Sequence, residues 1–129
     1  MKGLTLWFDA KKGYGVINTK KGKNYFVHQS NILMDGFRKL EEDDVVEFDI
    51  GYGPNGKKQA VKVKPVLTHQ MIASKLEKNN LYVTPITNNY GNRAYLVTDE
   101  DNVIQNGEQG FSFTELGDYA GFDTENLYS

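Results

Sequence analysis

The chain has 129 residues, 39% hydrophobic and 25% charged, enough for one ordinary domain or two small ones. It has no cysteine and only two histidines, His28 and His69, which excludes disulfides, thiolate metal sites and a histidine-rich metal cage. The net charge of −2 conceals a split: residues 1–66 carry 12 Lys and Arg against 8 Asp and Glu, whereas residues 67–129 carry 3 against 9.

In chain order, Leu4–Asp9 reads as a strand, Lys11-Lys12-Gly13 as a turn, and Tyr14–Asn18 as a second strand. Lys20-Lys21-Gly22-Lys23 is a basic hairpin loop before a third strand, Asn24–His28. A longer excursion over 29–43 carries Ile32, Leu33, Phe37 and Leu40. Asp44–Tyr52 alternates as a fourth strand, and Gln59–Val66 closes the set after the Gly53-Pro54-Asn55-Gly56 loop. Five short strands at this spacing predict a small barrel or sandwich, of which a barrel also removes exposed sheet edges. Pro65 marks the expected boundary.

Beyond it, Thr68 is placed to cap a helix on which His69, Ile72, Ala73 and Leu76 share one face, ending near Asn79-Asn80. Leu81–Thr87 is extended, an edge strand because of Pro85. Arg93–Thr98 and Val103–Gln105 flank Asp99-Glu100-Asp101-Asn102 as a predicted hairpin. Ser112-Phe113-Thr114-Glu115 is a capping box opening a short helix to about Ala120, stopped by Gly121. The fold class is thus mainly β: a five-stranded barrel or sandwich over 1–66, then a small acidic α+β part over 67–124. Glu125-Asn126-Leu127-Tyr128 matches the start of a protease-tag recognition sequence, so residues 125–129 are read as a tail without functional weight. No apolar run approaches the roughly 20 residues of a membrane helix. The first strand begins at once, without a signal peptide's apolar stretch, so the expected address is the cytoplasm.

Residues two apart on a strand share a face. Tyr25 and Val27, with Ile17, suit the inside of a barrel. The outer face then shows Tyr14, Phe26 and His28 together. Clustered exposed rings are costly unless they bind something. Beside Lys11, Lys12, Lys20, Lys21 and Lys23, flat rings suit bases stacked along a phosphate chain.

Trp7-Phe8, then Lys12-Gly13-Tyr14-Gly15-Val16-Ile17, then Phe26-Val27-His28-Gln29-Ser30, in this order and spacing, resemble the cold-shock domain. Gly36-Phe37-Arg38-Lys39-Leu40, Val46-Glu47-Phe48 and Lys58-Gln59-Ala60-Val61-Lys62-Val63 extend the likeness over 1–66. The His-Gln-Ser sequence is more similar to the Y-box branch than to the usual bacterial members. The resemblance implies an OB-fold barrel that binds single-stranded RNA or DNA with low sequence specificity, as an RNA chaperone or a regulator of transcription or translation. It implies base stacking on Trp7, Tyr14, Phe26, His28 and Phe37, with Lys12 near phosphates. Three positions depart from the family's pattern: Leu6 replaces a contacting Lys, Val16 a motif aromatic, and Asp9 the usual Asn. The first two predict weaker binding than that of a typical member.

Other motifs point nowhere. Gly51-Tyr52-Gly53-Pro54-Asn55-Gly56 matches G-x-G-x-x-G, but it contains Pro54 and precedes a strand, so no helix N-terminus faces a pyrophosphate. Asp99–Asn102 lacks the glycine and closing glutamate of a calcium loop. His69 sits on the apolar helix face and is expected to pack. No acid/base pair or nucleophile constellation is present, so neither an enzyme nor a cofactor is expected. The alternative reading is a protein-interaction adaptor or inhibitor acting through the acidic part, with Tyr90, Tyr119 and Phe122 as exposed aromatics.

Overall fold

The computed structural model describes residues 1–36, 38–125 and 127. Five strands in the first half, β1 (Lys2–Asp9), β2 (Tyr14–Thr19), β3 (Asn24–His28), β4 (Val45–Tyr52) and β5 (Lys58–Leu67), close into a barrel in the order β1-β2-β3-β5-β4. Neighbours are antiparallel except β3 and β5, which run parallel at Phe26–Gln59 and Val27–Ala60. The β1–β4 ladder completes closure. Alternation drives the packing: Ile17, Tyr25, Val27, Val46, Phe48, Ala60 and Val63 point inward and are buried. The excursion after β3 contributes Ile32 and Leu40 to the same core. Of the barrel and sandwich that the strand spacing allowed, the barrel is present, as the family resemblance implied.

The fifth strand, expected over Gln59–Val66, runs one residue further at each end and passes through Pro65. Pro65 is paired with Val46. Beyond Val63, the last β5 residue bridged on the other side, only the β4 side of the strand is paired, and a one-sided strand tolerates a residue without an N–H.

The chain divides into two units, Met1–Thr68 and His69–Glu125, with the buried Leu127 belonging to the first. In the second, α1 (His69–Glu77) packs on β6 (Tyr82–Thr87), and α2 (Phe113–Tyr119) on β7 (Arg93–Thr98). Its core holds Ile72, Leu76, Tyr95, Val97, Phe113 and Leu116. His69 is packed as expected, its ring 4.7 Å from Phe113 and 5.1 Å from Tyr95. The capping box forms with both bonds: the Ser112 hydroxyl accepts from the Glu115 N–H, and Glu115 Oε1 accepts from the Ser112 N–H at 3.0 Å.

The hairpin expected between 93–98 and 103–105 forms, but it is short. β7 pairs along its length with β6 on one edge; on the other, Val103–Gln105 adds the Thr98–Ile104 bridge, with the Gln105 N–H donating to the Val97 carbonyl at 2.8 Å and the Asp99 N–H to the Val103 carbonyl at 3.1 Å. Asn106 ends it: its side-chain oxygen accepts from the Val97 N–H and its amide donates to the Tyr95 carbonyl, both at 2.9 Å. A side chain thus takes ladder positions that a strand would have used. No helix among the described residues is long and apolar enough to cross a membrane.

Candidate nucleic-acid interface

The outer face of the barrel carries a row of residues running across all five strands. The ladders place Trp7 opposite Val16, Val16 opposite Phe26, Phe26 opposite Gln59, and Gln59 opposite Gly51. Tyr14 and His28 face each other two residues along, with Asp9 beyond Tyr14. Trp7 is 45% exposed and Phe26 41%; Tyr14, Val16 and His28 are half-buried.

Trp7 reaches this face through a bulge. Thr5 pairs with Ile17 and Trp7 with Val16, so β1 spends one residue more than β2 over this step. Thr5 is buried, while Leu6 and Trp7 are both exposed. Without the extra residue, Trp7 would share Thr5's inward side. Gly15 permits the close approach that follows: a Cβ there would collide with the Trp7 carbonyl oxygen and lie 2.9 Å from the Phe8 Cα.

Three rings make one continuous surface. Trp7 and Tyr14 meet edge to face at 5.8 Å and 72°; Tyr14 and Phe26 lie 5.4 Å apart at 33°. Tyr14 thus bridges its neighbours across the space above the small Val16. Each such pair contributes about 0.5–1.5 kcal/mol beyond its burial, which holds the rings in place before any ligand arrives. His28 is oriented separately: its Nδ1 accepts from the Ser30 N–H at 3.2 Å and lies 2.8 Å from the Ser30 hydroxyl. In the neutral ring this assigns the proton to Nε2, which leaves a donor for a ligand.

The lysines bracket the rings. Asp9 Oδ1 accepts from the N–H groups of Lys11 (2.9 Å) and Lys12 (3.0 Å), fixing the turn that exposes both side chains beside Tyr14. Asp9 thus supplies the acceptor that this turn needs. Lys20, Lys21 and Lys23 are exposed at the opposite end of β2, about 17 Å away at roughly 3.3 Å per residue. The structure adds two cations that strand patterning does not single out. Lys57 and Lys58, with Pro54, Asn55 and Gln59, wall a groove of about 560 Å³ against Phe26. The Phe26–Gln59 pairing brings this hairpin there, and residues so far apart in the chain offer no local signal. Phe37 lies outside the described residues. Among those residues, no cluster of three or more His, Asp or Glu is arranged to hold a metal ion.

A flat, partly exposed aromatic surface flanked by cations can stack planar bases while attracting a polyanion. The family described as the "Cold-shock" DNA-binding domain matches residues 1–66. The chain is 52% identical over 66 residues to a cold shock-like protein of Thermotoga maritima, covering 51% of this chain and 98% of that one. It is 47% identical over 64 residues to the cold shock-like protein CspC of Bacillus cereus, covering 50% and 98%. Over 63 residues it is 43% identical to cold shock domain-containing protein 4 of Arabidopsis thaliana, covering 48% of this chain and 31% of that protein.

Proposed function

The chain belongs to the cold-shock domain family, a nucleic-acid-binding and non-enzymatic family, through residues 1–66, and from that premise we propose that its barrel binds single-stranded RNA or DNA by base stacking. Bases lie on Trp7, Tyr14, Phe26 and His28, with Phe37 as a further platform. Lys11, Lys12, Lys20, Lys21 and Lys23 hold the backbone through charge, with little sequence discrimination. Acting in the cytoplasm, such a protein keeps RNA unpaired and so serves as an RNA chaperone or as a regulator of transcription or translation. The observation that carries this reading is the contiguous Trp7–Tyr14–Phe26 surface on the outside of the barrel, where none of the three rings is needed to fill the core.

Two features set the affinity below that of a full platform. Val16 supplies no ring between Trp7 and Phe26, and Leu6 no cation beside them. One missing stack corresponds to about 1–3 kcal/mol, or roughly 5- to 150-fold.

Trp7 is the only tryptophan, so its fluorescence reports on this face alone. Titration with a short single-stranded oligopyrimidine quenches it to saturation, and the affinity falls as salt rises. The matching duplex quenches far less, because its bases are already stacked on one another. Absence of quenching by the single strand at low salt refutes the reading.

A further inference from the structure

The second unit has a sheet face that its core does not use. Directly opposed residues in a ladder share a face, so Tyr82, Thr98 and Ile104 form one row, through the β6–β7 pair and the Thr98–Ile104 bridge. The next rows are Thr84 with Leu96 and Ile86 with Ala94. None of these residues is charged. The core lies on the other face, where Tyr95 is 1% exposed and Val97 fully buried. At one end, Gly110 covers the outer face, its Cβ position lying 3.1 Å from the Ala94 Cβ. At the other, Tyr82 (44%), Ile104 (42%) and the adjoining Val103 (55%) are exposed. An apolar patch of this kind on a small acidic unit marks an interaction site.

Two occupants are disfavoured by the structure itself. An added strand would need the outer edge of β6. Tyr95 exchanges both its backbone bonds with Phe111, and the Val97 N–H and carbonyl bond to Asn106 and Gln105, so both residues direct their polar groups away from β6. Their partners Pro85 and Val83 therefore face the outer edge, and Pro85 has no N–H to offer there. A second copy is opposed by charge. Residues 69–125 hold 9 Asp and Glu against 3 Lys and Arg, and Asp99, Glu100 and Asp101 form the turn at the open end. Two such surfaces repel.

The same charges select the opposite kind of partner. We propose that the open end of this face binds a protein segment in which apolar side chains alternate with Lys or Arg. The apolar groups cover Tyr82, Thr98 and Ile104, and the cations lie over the Asp99–Asp101 turn. This site is independent of the barrel's ligand.

A display library of random short peptides, panned against the full chain, tests the proposal. Enriched peptides should alternate basic and apolar residues. When synthesised, they should bind the full chain roughly tenfold or more weakly after Ile104→Ser with Tyr82→Ser. Glu100→Gln with Asp101→Asn should weaken binding and flatten its salt dependence. Quenching of Trp7 by the oligopyrimidine should stay unchanged in every variant, which separates a failure here from a failure of the barrel reading and shows that the barrel is intact; a thermal melt checks the second unit. Lack of enrichment, enrichment of acidic or wholly apolar peptides, or binding indifferent to these variants overturns the proposal. A dimer in light scattering that Ile104→Ser dissolves overturns it in favour of a second copy.

Discussion

The two units bury aromatic residues alike but display the remaining ones differently. The barrel packs Tyr25 against Phe48 among Ile17, Val27, Ile32, Val46 and Val63, and gathers Trp7, Tyr14 and Phe26 into one outward surface. The second unit turns Tyr95 and Phe113 inward, with His69 packed against both, and its exposed rings include Tyr82, Tyr90 and Tyr119. Each core thus draws on a few large rings for buried area, as small units must. Charge follows the same division: an excess of 4 cations in residues 1–68 and of 6 anions in residues 69–125. Aromatic content therefore does not by itself mark a base-binding surface. The gathering of rings into one exposed surface beside cations does.

Changes within one unit should leave the other's readout alone. The largest effect is expected from Leu116→Ala, which empties a fully buried position in the second unit. It should cost about 2–5 kcal/mol. Near-ultraviolet circular dichroism should then show the second unit melting earlier, while the thermal transition reported by Trp7 stays in place. If both transitions move together, the units unfold as one cooperative body and the contrast loses its thermodynamic meaning.

Phe26→Ala should weaken oligopyrimidine binding by about 1–3 kcal/mol, roughly 5- to 150-fold, in the Trp7 titration. Phe113→Ala, an equal truncation of an inward ring, should leave that affinity unchanged. Equal losses in both variants would erase the distinction between platform and core.

Removing the helix cap with Ser112→Ala should destabilise the second unit by about 0.5–2 kcal/mol, read from the same melt. The smallest effect is expected from Lys20→Gln with Lys21→Gln. The slope of log affinity against log salt should fall by about 0.7 for each phosphate that the loop no longer neutralises. An unchanged slope would mean that this loop only solubilises the hairpin.

Much of the interface is legible in the order of the residues. The run from Tyr25 to His28 alternates cleanly, and the side chains fall as that alternation predicts: Tyr25 and Val27 inside, Phe26 exposed and His28 half-exposed. The capping box at Ser112–Glu115 is equally readable, because both partners lie within one helical turn. Trp7 is different. Alternation counted from the buried Thr5 would place it in the core, and only the family resemblance assigns it to the binding face. The bulge at Leu6 that turns it outward arises from its pairing with β2 and is invisible to a local count.

Sequence alone determined what depends on neighbours in the chain: strand periodicity, turn chemistry, helix caps and the division of charge. Tertiary structure alone decided what depends on pairing between distant segments. It turned Trp7 outward through the β1–β2 bulge, paired β7 with β6, and brought Lys57 and Lys58 beside Phe26. The reason is physical. A residue's preference acts over one turn or one pleat, whereas register is set by which strand arrives alongside, and a shift of one residue reverses every side chain on the strand.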